Sequence, residues 1–309
     1  NKVMVFNNLT FGLSNNDVGQ VFRTQGANGF DVLIAGTTTL NGKSAFMVDN
    51  SYNGSASDLF LDGQVTGTGT LIKGPVDSRG RELNLRNVTS LNNYTDGTVL
   101  QGGTLRVFAK APNVAANAST DLTFGGLGAG NITLMQGILD LRVDSEIGGA
   151  PDTNLERVIY GDTTAPNVFL NGSTQINVDR TGLVGTGTTK QIALGNLTMG
   201  QQWLTVTGGN SYGLEFAGTT SLIGSPYINN SAELVLNGAI STDGGGVIIN
   251  KTNTGTLWIN SANPTLLAST YINAGLLAFG NRLAFQQGGI EISGGLATGD
   301  KDELLDALL

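Results

Sequence analysis

The sequence predicts an all-β chain built as a parallel β-helix, a stack of short coils of backbone. Three observations point that way. Short runs alternate apolar and polar residues with period two, among them Val32/Ile34, Leu59/Leu61, Leu139/Leu141, Leu204/Val206 and Leu234/Leu236, the pattern of half-buried strands. Between the runs recur Asn41-Gly42, Asp62-Gly63, Asp96-Gly97, Asn171-Gly172 and Asn237-Gly238, pairs that tolerate the positive φ of tight turns. A strand–turn–strand unit also returns at a distance. A sandwich or a barrel is also compatible with alternating strands. The very short strands, the turns rich in Gly, Asn and Thr, and the returning unit favour the helix, because a unit that cannot bury its own apolar face stacks on a copy of itself.

The unit is clearest from Lys251 to Gly280. Leu257 and Ile259 mark a strand, Thr270 to Asn273 a second, and Leu277 and Phe279 a third beyond Ala274-Gly275. A stretched copy runs from Gly67 to Phe108. There Thr98 to Gly103 keeps the spacing of Thr270 to Gly275, and Leu105/Val107 match Leu277/Phe279. With coils of roughly 20–25 residues, the chain makes about a dozen, a rod on the order of 60 Å long at the strand spacing of about 4.8 Å.

The remaining elements follow along the chain. Lys2-Val3-Met4-Val5-Phe6 is strand-like with apolar residues on both faces. That suits a strand buried between layers, or an end that docks on a neighbour. Asp77 to Glu82, Ala109 to Ala118 and Asp144 to Arg157 are expected to be loops leaving the stack. Residues 1–299 form the predicted β-helix. Residues 300–309 form a short helix, with acids at its start and Leu304, Leu305, Leu308 and Leu309 on one face, suited to capping the last coil or docking a subunit. Val3 and Val5 join these leucines as candidate assembly residues.

Composition narrows the chemistry. The 309 residues include 46 Gly, no Cys and no His, with only 13% charged and a net charge of −8. Hydrophobic content of 39% supports a core and argues against disorder. The acidic balance without clustered Lys or Arg is unsuited to nucleic acid or anionic lipid. No run approaches the roughly 20 apolar residues of a membrane-spanning helix. The start at Asn1 reads as a processed or trimmed chain.

Lack of His and Cys excludes a Ser-His-Asp triad, a thiol nucleophile and the usual zinc cluster. Paired carboxylates remain conceivable for glycan cleavage, at Asp58/Asp62, Asp140/Asp144 or Asp144/Glu146. Asp140 and Asp144 share the strand face opposite Leu139, Leu141 and Val143, where solvated positions explain them more simply. Gly125 to Asn131 lacks the Asp of a calcium roll and the Lys-Ser/Thr of a phosphate loop. Trp203 and Trp258 could offer flat platforms to sugar, or stack in a core or an outer ladder. Asn-x-Ser/Thr triplets are frequent, at Asn8, Asn87, Asn93, Asn117, Asn171 and Asn250 among others; with those at Asn131 and Asn196 falling within predicted strands, they match chance in so Asn- and Thr-rich a chain. No catalytic residue, cofactor or metal ligand is assigned.

The stretch Gly255-Thr256-Leu257-Trp258-Ile259-Asn260-Ser261-Ala262-Asn263, followed by Thr270-Tyr271-Ile272-Asn273-Ala274-Gly275-Leu276-Leu277, resembles the autotransporter-associated β-strand repeat. Ser261, Pro264-Thr265 and Leu276 depart from that family's pattern, and the two copies cover about a quarter of the chain. The resemblance implies a right-handed parallel β-helix in a secreted or surface-exposed bacterial protein, with no catalytic residues to carry over. No charged residue lies between Lys251 and Arg282, so electrostatic repulsion between packed copies is weak there. The expected function is a non-enzymatic, self-associating extracellular subunit of a filament, sheath or surface layer, a homo-oligomer or polymer. An adhesin presenting loops to a cell-surface or glycan ligand is the alternative. A polysaccharide-degrading enzyme or phage tailspike ranks behind both.

Overall fold

The computed structural model describes residues 2–12, 19–25, 30–49, 57–74, 81–87, 90–110, 122–124, 126–144, 146–147, 150–151, 157–160, 165–180, 191–263, 266–285 and 288–298. Among them every strand pairing is parallel except one small hairpin, Glu146–Ile147 with Ala150–Pro151. That hairpin lies in the segment expected to be a plain loop.

Twelve strands form the first sheet, hydrogen-bonded in chain order. They are Lys2–Phe6, Phe30–Ile34, Leu59–Leu61, Glu82–Leu85, Thr104–Lys110, Ile138–Asp144, Thr174–Arg180, Trp203–Gly208, Tyr227–Asn230, Ile248–Thr252, Ser269–Ile272 and Ile290–Ile292. In most coils the chain turns from this sheet to a second face and then to a third before starting the next. The third face is a nine-stranded sheet running from Gln20–Gln25 to Ile240–Thr242. The second carries three strands (Leu9–Phe11, Thr38–Leu40, Val65–Gly67) and, further along, eight from Leu122–Phe124 to Leu296–Thr298. Among the described residues the chain is therefore a three-sided, right-handed parallel β-helix with twelve strands on its first face.

The coils are not uniform. Thr270 pairs with Ile290, twenty residues on, whereas Leu139 pairs with Ile176, thirty-seven on. The extra length falls between the first and second faces of three successive coils, from Lys110 to Leu122, Asp144 to Arg157 and Arg180 to Gln191. The strand ending at Lys110 takes in Ala109, which was expected in a loop. Glu82 likewise opens a strand.

The two copies of the sequence unit occupy different corners. Thr98–Leu100 lies on the third face and leads to Thr104–Lys110 on the first, while Ser269–Ile272 lies on the first and leads to Leu276–Phe279 on the second. The recurring pattern encodes a corner rather than a whole coil. Gly103 and Gly275 turn it with φ of 69° and 76°, values that an L side chain rarely adopts.

Inward side chains stack in columns through the rod. On the first sheet Leu59, Leu83, Leu105, Leu139, Ile176 and Val206 form one column, all buried. Each fills the space left by its neighbours one coil away, so burial is shared between coils. At the break in the second face, buried Asn92 stands in for strand pairing. Its Oδ1 accepts from the Val65 N–H at 2.8 Å and its Nδ2 donates to the Gly126 carbonyl at 2.8 Å. Asn131 and Asn196 immediately precede their strands rather than lying within them. They line a corner ladder in which Asn167 Oδ1 accepts from the Asn196 N–H and Asn196 Oδ1 from the Thr219 N–H.

The first strand is not buried between layers. Lys2 to Phe6 are exposed at every residue, and their only strand partner is Phe30–Ile34. Among the described residues this strand stands at one edge of the first sheet. The helix expected at residues 300–309 lies outside the described residues.

Candidate functional site

Two lysines point inward. Lys73 lies between Phe46 and Leu100 in a third-face column, and Lys251 between Ile228 and Ile272 in a first-sheet column. Both are 0% exposed. Lys251 Nζ donates to the carbonyls of Thr252 (3.0 Å), Asn253 (2.8 Å) and, one coil on, Ala274 (3.2 Å). Lys73 Nζ donates to those of Gly74 (3.2 Å) and Gly102 (3.3 Å). Burial pushes each ammonium down to about 8, because carbonyl dipoles replace only part of its hydration. Each lysine precedes, by one coil, a corner glycine of the recurring unit. A β-carbon on Gly103 would sit 2.8 Å from Lys73 Nζ, and one on Gly275 2.7 Å from Lys251 Nζ. The alternation places both lysines in the inward phase, a signal the sequence held.

The outward face of the first sheet carries a charged ladder across its central coils. Arg106 joins Glu82 (Nη1 to Oε2, 2.6 Å) to Asp140 (Nε to Oδ2, 2.6 Å). Arg142 joins Asp140 (Nε to Oδ1, 2.7 Å) to Asp179 (Nη1 to Oδ2, 2.9 Å), and Asn177 Nδ2 adds a 2.8 Å hydrogen bond to Asp140. Burial opposes ionisation of Asp140, but the hydrogen bonds from Arg142, Asn177 and Arg106 prevail and hold its carboxyl below the usual range. A carboxylate so held has no proton to give as an acid at neutral pH and is a poor base.

Of the other carboxylate pairs, Asp58/Asp62 divides between different partners. Asp62 is gripped by Arg86 at 2.7 and 3.0 Å. Asp58 accepts from the Glu82 N–H at 3.3 Å, and burial raises the carboxyls of both Asp58 and Glu82. The side chains of Asp144 and Glu146 lie outside the described residues. Among the described residues, no three His, Cys, Asp or Glu side chains gather to hold a metal ion. On the second face Glu215 takes both arms of Arg157 at 2.6 and 3.0 Å and a third bond from Asn237.

The later coils differ. From Trp203 onward the outward column reads Trp203, Tyr227, Asn250, Tyr271, Glu291. The rings of Trp203 and Tyr227 stack 4.6 Å apart at 10°, so Trp203 belongs to an outer ladder. Trp258 is on the second sheet, its Nε1 donating to Glu233 at 3.1 Å.

Val3 and Val5 project outward at the edge strand, where their neighbours Met4 and Phe6 continue the inward columns of Val32 and Ile34. Val5 is 63% exposed. Ile292 and Leu296 are exposed in the last described coil, Leu296 at 64%. Leu304, Leu305, Leu308 and Leu309 lie outside the described residues. No helix among the described residues is long and apolar enough to cross a membrane. No protein-family profile, no curated protein and no solved structure matches this chain.

Proposed function

We propose that the chain is a structural subunit of an extracellular bacterial filament, sheath or surface layer, non-enzymatic and self-associating through the ends of its solenoid. The observation that carries this reading is the edge strand Lys2–Phe6, exposed at every residue and apolar on both faces. Such an edge offers unpaired backbone groups and apolar columns to another strand. Because the stacked sheets are parallel, head-to-tail stacking preserves their polarity, and a heterologous contact of that kind propagates. Sparse charge and the resemblance to the autotransporter-associated repeat also support it.

Sedimentation velocity and negative-stain microscopy of the purified protein test it. Short rods joined end to end, and their loss in Val5→Lys, are expected. A strictly monomeric particle at high concentration would sink the reading.

An adhesin is the second reading, favoured by the long connections of three successive coils at one corner. Replacing residues 145–156 with a short linker, keeping Arg157 on Glu215, would abolish attachment to cells while leaving the thermal midpoint little changed.

A further inference from the structure

The outward face of the first sheet has two chemically different halves. In the central coils its polar side chains satisfy one another, as Arg106, Asp140, Arg142, Asp179 and Asn177 do. From Trp203 to Tyr271 the outward positions are uncharged: Trp203, Thr205, Thr207, Tyr227, Asn229, Ile248, Asn250, Thr252, Ser269 and Tyr271. Lys251, the one charged residue in these strands, points inward. Asn250 and Thr252 bond back to backbone carbonyls. The side chains of Thr205 and Asn229 and the hydroxyls of Tyr227 and Tyr271 have no hydrogen-bond partner among the described residues. Trp203 is 43% exposed. Tyr227 covers one face of its indole, and one coil back the Ser173 Oγ accepts from the Trp203 backbone N–H.

We infer that this strip binds a neutral polysaccharide, with a sugar ring packed against the exposed part of the Trp203 indole. A pyranose presents a C–H face that packs on an aromatic ring and a rim of hydroxyls that needs donors and acceptors. The strip supplies both, in a straight line at the coil spacing of about 4.8 Å. Its lack of charge selects among glycans. An anionic chain would find no cation to offset its desolvation, and a neutral chain needs none. The inference is independent of end-to-end assembly.

Affinity electrophoresis tests it, with gels containing mixed-linkage β-glucan, dextran or galactomannan, and polygalacturonate or alginate as anionic probes. Retardation is expected in at least one neutral gel. It should weaken about tenfold or more in Trp203→Ala and in Tyr227→Ala, and stay unchanged in Trp258→Ala on the other sheet. Retardation in none of the neutral gels, retardation confined to the anionic gels, or retardation that Trp203→Ala retains would each overturn the inference. If Trp203→Ala instead alters the sedimentation of the unliganded protein, the occupant is a second copy's sheet and the inference also fails.

Discussion

Lys251 ends beneath the corner that Gly275 turns one coil later, its ammonium hydrogen-bonded to the carbonyl before that glycine at 3.2 Å. The same pairing joins Lys73 to Gly103. A buried cation satisfied by carbonyls alone ties two successive coils together, and the glycine leaves room for it.

Stability should rise with pH between about 8 and 9.5. Both lysines fall to about 8 in the folded state from 10.5, so between those values the unfolded chain binds more protons and raising the pH favours folding. Above about pH 10 the trend reverses. Burial raises Tyr94 and, further, Tyr160, so the unfolded chain then sheds protons first. Urea midpoints across this range check both limbs. The rise should shrink in Lys251→Met and vanish in the double variant with Lys73→Met.

Gly275→Ala should destabilise by about 2–3 kcal/mol or more, through backbone strain at positive φ plus a steric clash. The added β-carbon would lie 2.3 Å from the Asn253 carbonyl oxygen and 2.6 Å from that of Gly255. Gly244→Ala, where a β-carbon meets nothing within 4 Å, should stay near wild type by chemical denaturation.

Asp140→Asn should cost about 3–5 kcal/mol by leaving Arg106 and Arg142 without their shared partner. Because the Asp140 carboxyl lies below its usual range when folded, its contribution is present above the unfolded value and lost as pH falls through the folded one. The variant should therefore show a flatter acid limb in a pH series of urea midpoints. Equal stability of variant and wild type would remove the ladder from the account.

Leu105→Ala should cost about 2–5 kcal/mol, since it opens a cavity in a column shared with Leu83 and Leu139. Hydrogen exchange should in turn be graded along the rod. Amides of Lys2–Phe6 should exchange far faster than those of Ile138–Asp144, because an edge strand has a neighbour on one side only.

The inward columns were legible in the sequence because period two is local. Leu139, Leu141 and Val143 point inward as the alternation requires. The lysines were equally legible, in Leu71-Ile72-Lys73 and Ile249-Asn250-Lys251, but Lys is so rarely buried that its phase is easily passed over. The ladder was not legible. Arg106 meets Asp140 across 34 residues and Arg142 meets Asp179 across 37. Such partners are set by coil lengths, and the insertions change those from coil to coil. The displaced copy had a different cause: one corner chemistry serves two edges of the prism, so matching motifs do not measure a whole turn.

Because coils rest on one another in single file, traction applied at the two ends would load their contacts in series. The rod should then peel by one coil at a time rather than shear as a block. Each release would lengthen the chain by the contour of that coil, about 70 Å for a turn of twenty residues and about 130 Å for one of thirty-seven. A protein drawn out in this way would yield in uneven steps, the longest coming from the coils with insertions, and would absorb work without parting.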